Sequence, residues 1–215
     1  MKIAVFGTGM VGEAIGTKLV SLGHDVRMGS RSPDNEKATA WAKAAGAKAS
    51  TGTFADAAAF AEVAFLCVKG DVGSAVLKSV GSALDGKILV DISNPLDFSK
   101  GMPPTLFVSN NDSLGETLQR EAPKVKVVKT LNTVNAYLMV DAAKLNKGDH
   151  TMLMCGDDAG AKARVLADFL TPFGWKDVVD LGGITQARGT EAYLLLWTRL
   201  YGALKTPDFN IKLVR

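Results

Sequence analysis

Apolar residues in this chain fall into short continuous runs that alternate with stretches of helical period. Ile3 to Phe6 is a run of four, and Val11, Ala14, Ile15 and Leu19 follow at helical spacing. Asp25 to Met28 forms a second strand, Ala38 to Ala45 a helix and Ala47 to Ser50 a short peripheral strand. Thr53 to Phe60 is helical and leads into Val63 to Val68, whose unbroken apolar character suits a strand covered on both faces. Val76, Leu77, Val80 and Leu84 make one helical stripe before a strand at Lys87 to Asp91. A helix around Glu116 to Arg120 precedes another strand at Val125 to Lys129. Met152 to Cys155 is a strand, and Asp157-Asp158 opens a helix carrying Val165, Leu166, Phe169 and Leu170, acids at a helix start being favoured by its dipole. Such alternation predicts an α/β fold with a doubly wound parallel sheet. The turn-rich segment from Ser93 to Ser113 reads as a long loop and a wall of the site.

Between the first run and the first stripe stand Gly7, Gly9 and Gly12, at GxGxxG spacing. A strand before them and a helix after them make this a dinucleotide fingerprint, and the fold a Rossmann sheet. Gly7 permits the turn, Gly9 clears the approach of a pyrophosphate, and Gly12 lets helix and strand pack closely. Thr8, Met10 and Val11 complete the loop, whose free N–H groups and helix dipole face the phosphates.

Where an NAD site places a carboxylate for the ribose, the second strand ends in Gly29-Ser30-Arg31. Ser30 supplies a hydroxyl and Arg31 a charged fork for a 2′-phosphate, with Lys37 a further cation, so the sequence points to NADP. The same stretch has a local reading, in which Ser32 caps the next helix and Pro33 is its first residue. Asp34 and Glu36 follow closely and would oppose the phosphate if they reached the ribose.

The other strand ends carry Val68-Lys69-Gly70, Asp91 to Pro95, and Thr130 to Ala136. Asn94 and Asn132 are the candidate catalytic residues, holding a carboxamide or a substrate carbonyl, because an amide both donates and accepts. Each also has a local alternative: Asn94 starts a turn before Pro95, and Asn132 caps the short helix after it. Lys69 is a solvated charge or a substrate contact.

At 215 residues the chain holds one full core and a small appendage, divided as residues 1–150, the nucleotide-binding domain, and 151–215, a small α/β extension ending in a long helix. A net charge of +3 spread along the chain argues against nucleic acid. Two cysteines and two histidines, far apart, form no metal-ligand cluster, and Cys67 and Cys155 read as buried free thiols. No apolar stretch approaches about 18 residues and no leader pattern opens the chain, so a cytoplasmic, membrane-free protein is expected.

Gly7 to Gly12, Gly29-Ser30-Arg31, Thr130-Leu131-Asn132-Thr133, Met154 to Asp158, Arg188-Gly-Thr-Glu191 and the final helix together resemble the short NADPH:coenzyme F-420 oxidoreductases, over nearly the whole chain. They also resemble the cytosolic NADPH and flavin domain of membrane ferric reductases. The resemblance implies hydride transfer between NADPH and a deazaflavin or flavin. Thr8, Gly9, Met10 and Val11 would then touch the pyrophosphate, Ser30 and Arg31 the 2′-phosphate, and Val68 and Lys69 the nicotinamide side. The deazaflavin enzymes show a histidine and a proline where this chain has Asn132 and Asn135, which opens the acceptor to a flavin or another flat ring.

From Gln186 to Lys205 apolar residues cover more than one helix face, which implies a partner subunit and hence a homodimer. Arg188 and Glu191, at i and i+3, are expected to pair with each other. No histidine or lysine proton donor stands out, as suits transfer between two rings that carry the chemistry themselves. The competing readings are an NADPH-dependent carbonyl or imine reductase, which would need a larger helical domain, and a non-catalytic NADPH sensor.

Overall fold

The computed structural model describes residues 1–215. Its first half is built as the periodicity dictates: β1 (Lys2–Phe6), α1 (Met10–Ser21), β2 (Asp25–Ser30), α2 (Glu36–Ala45), β3 (Ala49–Thr53), α3 (Phe54–Phe60), β4 (Val63–Leu66), α4 (Gly73–Val80) and β5 (Ile88–Asp91). The second half contains β6 (Leu96–Asp97), β7 (Thr105–Leu106), α5 (Leu114–Glu121), β8 (Lys126–Thr130), α6 (Ala136–Met139), β9 (Thr151–Cys155), α7 (Ala159–Val165), β10 (Asp177–Asp180) and α8 (Ala187–Leu204).

Eight strands form one sheet in the order β3-β2-β1-β4-β5-β8-β9-β10. The first six are parallel, but β9 runs antiparallel to β8 and β10 parallel to β9, so the sheet is mixed where an all-parallel one is expected. No crossover helix covers the step from β8 to β9; α6 and two short 3-10 turns turn the chain back at the same end of the sheet, which reverses it. The strand β10 escapes sequence patterning because only Val178 and Val179 are apolar in it. The Ser93–Ser113 segment contains the small antiparallel ladder of β6 with β7.

Side chains alternate between two cores, one on each face of the sheet. Ile3, Val5, Phe65, Val90 and Val128 point to one, where Met152, Met154 and Phe169 join them. Ala4, Phe6, Leu66, Leu89 and Val127 point to the other, packed by Val76, Leu77, Val80 and Leu84. Five helices carry side-chain caps: Asn35 on α2, Thr53 on α3, Ser113 on α5, Asn135 on α6 and Asp158 on α7. Ser32 does not cap α2. Pro33 and Asp34 make a further turn first, and the Asn35 side chain accepts from Ala38 N at 3.0 Å, Asn being as strong a cap as Ser.

Buried positions on α8 are Ala187, Thr190, Glu191, Leu194 and Thr198, while Leu196, Tyr201 and Leu204 are exposed. The tail beyond α8 returns along β9, with Ile211 O accepting from Thr151 N at 2.9 Å. Cys155 is buried as expected and Cys67 only half-buried. No helix is long and apolar enough to cross a membrane.

Candidate active site

The glycine loop joins β1 to α1 at the carboxyl edge of the sheet. Gly7 has φ +122°, and a Cβ there would lie 2.6 Å from Cys67 O at the end of β4. A Cβ on Gly12 would lie 2.1 Å from Gly7 O, so the helix start rests directly on the turn. Gly9 differs, because a Cβ on it would meet nothing within 4 Å. It is also the N-cap of α1, and no side chain satisfies the amides of that first turn. A sterically open residue beneath unsatisfied N–H groups fits a pyrophosphate. Val68 borders the same turn, its Cγ1 3.2 Å from the Gly7 Cβ position, and Lys69 beside it is exposed.

Ser30 and Arg31 line a cavity of about 270 Å³ with Thr53, Phe54, Val72 and Val76. Its apolar walls and polar rim suit a purine with its ribose. Ser30 is buried and its hydroxyl donates to Ser32 O, whereas Arg31 is exposed and in no ion pair. Lys37 opens on a separate cleft of about 810 Å³ between α1 and α2, together with Thr8, Gly9 and Met10. The structure therefore groups Lys37 with the glycine loop rather than with Arg31.

Asn94 and Asn132, 38 residues apart, are brought together. Asn94 Nδ2 donates to Asn132 O at 2.8 Å, and Asn132 Nδ2 donates to Asn94 Oδ1 at 2.9 Å and to Thr190 O of α8 at 3.1 Å. Asn132 caps no helix; Asn135 does so for α6 and also donates to Pro207 O at 2.6 Å. Leu131 before it is fully buried with φ +62°, a region costly for a branched side chain and one that marks functional turns.

Five buried side-chain polar atoms lack a hydrogen-bond partner: Asn132 Oδ1, Thr133 Oγ1, Tyr193 Oη, Trp197 Nε1 and Asn210 Oδ1. All belong to three segments that meet beyond the carboxyl end of β8. Asn132 reaches α8 through Thr190 O, the Trp197 ring lies 5.2 Å from Phe209, and Asn210 Nδ2 donates to Thr151 O, at the start of the strand antiparallel to β8. Buried polar atoms are rarely left unpaired, so Asn132 Oδ1 and Thr133 Oγ1, in the turn after β8, are placed to meet a polar ligand edge.

Sequence spacing pairs Arg188 with Glu191, and the structure does not. Arg188 makes a two-pronged contact with Glu116 of α5, at 2.9 and 2.6 Å. That hydrogen bond, chiefly, holds the Glu116 carboxyl below its ordinary range. Glu191 points instead into the core, where the amides of α5 and the Lys129 ammonium offer stronger partners than an exposed guanidinium. Burial alone would lower the Lys129 pKa, but the charges of Asp91 and Glu191 outweigh it and hold the ammonium above the usual lysine value. A second lysine, directly after the apolar pair Val127-Val128 in the same strand, is the available sequence signal for this cluster.

Known proteins place the chain in a family. Residues 2–95 match the family model described as NADP oxidoreductase coenzyme F420-dependent. The chain is 32% identical over 204 residues to the F420-dependent NADP reductase of Methanothermobacter marburgensis, covering 89% of this chain and 88% of that one. It is also 32% identical over 207 residues to the rat metalloreductase STEAP3, covering 96% of this chain but only 38% of that protein's length. A crystal structure titled as a putative F420-dependent NADP-reductase from Arthrobacter sp. FB24 superposes with a TM-score of 0.96 at 49% identity, covering all of both chains. The chain belongs to the coenzyme F420-dependent NADP oxidoreductase family.

Proposed function

We propose that this protein transfers hydride between NADPH and a flat acceptor of the flavin or deazaflavin type. The observation that carries the reading is the unpartnered Asn132 Oδ1 and Thr133 Oγ1 in the turn after β8, on the same edge of the parallel strands as the glycine loop. Residues 1–150 supply the nucleotide site, and 151–215 complete the acceptor wall. Thr8 to Val11 take the pyrophosphate, Arg31 the 2′-phosphate with Ser30 shaping the pocket, and Lys37 adds positive charge on the loop side.

Val68 and Lys69 border the nicotinamide side. When bound, the reduced nicotinamide supplies the hydride and the acceptor ring receives it, so the protein needs to orient both and exclude water. Asn94 and Asn132 serve orientation: each fixes the other, leaving Asn132 Oδ1 free to accept from a ring or carboxamide N–H. Tyr193 and Trp197 offer donors to acceptor carbonyls. The exposed Leu196, Tyr201 and Leu204 support a homodimer through α8, and two free thiols support a reducing, cytoplasmic setting.

The test is NADPH oxidation with a deazaflavin, FMN, FAD, a ferric chelate, and simple ketones and imines. Sustained turnover with a flat ring is expected. Turnover only with a ketone or imine would make the protein a carbonyl or imine reductase. Tight NADPH binding without turnover on any acceptor would make it a sensor.

A further inference from the structure

The hydride transfer proposed above makes no use of the most deeply buried charges in the molecule. Lys129 has no solvent exposure, and its ammonium reaches Asp91 Oδ2 at 2.8 Å, Ser93 O at 2.6 Å and Glu191 Oε1 at 2.8 Å. All three ammonium hydrogens are thereby used. Asp91 Oδ1 accepts from Ser93 N and Oγ at 2.9 and 2.6 Å. Glu191 accepts from the first two amides of α5, Leu114 N at 2.8 Å and Gly115 N at 2.9 Å. One cation faces two carboxylates, and the positive end of α5 supplies the balance.

A buried ion cluster of this kind holds a fold no more firmly than apolar side chains of the same volume. What it adds is direction, since each contact is satisfied at one separation only. Its corners coincide with those of the hydrogen-bond network above it. Asp91 leads through Ser93 to Asn94, Lys129 through Thr130 and the strained Leu131 to Asn132, and Glu191 follows Thr190, whose carbonyl Asn132 holds. Two three-cornered networks are thus stacked on the same three chain segments.

We infer that Asp91, Lys129 and Glu191 are positioning residues that fix α8 against the ends of β5 and β8, and so hold the Asn94–Asn132 pair in the arrangement that meets the acceptor. The inference rests on the reading that Asn94 and Asn132 orient the acceptor. It assigns the cluster no contact with either ring.

The test is Glu191→Gln in the full chain, which keeps the shape and removes the charge. The KM for the acceptor should rise about tenfold, while the Kd for NADPH stays within about twofold of wild type. Amide hydrogen exchange should accelerate about tenfold or more in residues 187–197, with α1 unchanged. Leu84→Ala, a core truncation away from the cluster, should lower the melting temperature without moving the acceptor KM. If Glu191→Gln does not fold, Glu191→Asp keeps the charge, shortens the reach and should give the same pattern.

An unchanged acceptor KM, or acceptor KM and NADPH Kd rising together, would overturn the inference. Should the wild-type protein reduce no acceptor, the proposed function fails by itself. Hydrogen exchange then decides: acceleration confined to residues 131–135 and 187–197 supports the positioning role, and unchanged exchange there overturns it.

Discussion

Two ends of the same sheet edge are built on opposite principles. At the glycine loop the site is made by what is missing: no Cβ on Gly7 or Gly12, open space at Gly9, and no side-chain cap on α1. At the ends of β5 and β8 it is made by what is present, a closed set of charged and amide side chains from the β5 and β8 ends and α8, together with the first backbone amides of α5, that hold one another. The first waits for a ligand to complete it. The second is largely complete in itself, apart from the unpaired Asn132 Oδ1 and the Thr133 hydroxyl beside it.

This contrast separates stability from binding, and the glycines give its largest test. Gly12→Ala should lose both, because its Cβ would strike Gly7 O: a cost of about 1–3 kcal/mol is expected from overpacking. That corresponds to roughly 2–10 °C in melting temperature for a chain of this size. Gly9→Ala should lose binding alone, with stability changed by less than about 1 kcal/mol and NADPH affinity down about tenfold or more. Equal stability losses in the two variants would erase the distinction between a packing glycine and a ligand-clearance glycine.

Next in size is Arg31→Ala. It should raise the Kd for NADPH by about tenfold to a hundredfold and that for NADH little, since only the former carries the charge it meets. Lys37→Ala, on the loop side, should weaken both nucleotides alike, by less than about tenfold. Isothermal titration of each variant with both nucleotides checks the pair.

At the charged end, Arg188→Ala sharpens the comparison through pH. Glu116 is held below its ordinary value of 4.5, first by the hydrogen bond from Arg188, so the contact contributes above that value and is lost as pH falls through the lower folded value. The wild-type protein should therefore exceed the variant in stability near neutrality, and the two should converge in acid. A stability difference independent of pH in urea melts would assign Arg188 a packing role only.

The smallest effect concerns Cys155. Burial, chiefly, pushes its thiol up to about 12, so alkylation at about pH 8 should be slow in the folded protein and fast in denaturant. Rapid labelling of the native chain would mean that this end opens readily.

The same contrast explains what the sequence could disclose. Gly7, Gly9, Gly12, Ser30 and Arg31 are legible because their requirements are local: a backbone turn, a missing Cβ, a charge at the end of one strand. The parallel core is equally legible, because continuous apolar runs leave few alternatives. Asp91, Lys129 and Glu191 come from positions up to a hundred residues apart and obey no local period. Spacing alone therefore pairs Glu191 with Arg188, the nearest opposite charge. The reversal of β9 was hidden for a related reason, since an apolar run such as Met152 to Cys155 does not record strand direction. Asn132 and Asn94 lie between these cases. Their residue type drew attention, and only the fold reveals that they bind each other.

The most direct test of the whole account is calorimetric titration of the wild-type protein with NADPH and with NADH under one buffer. NADPH should bind at least about tenfold more tightly, the difference expected of one charged contact to the additional phosphate. Equal affinities, or no heat with either nucleotide, would contradict the assignment on which every later step stands.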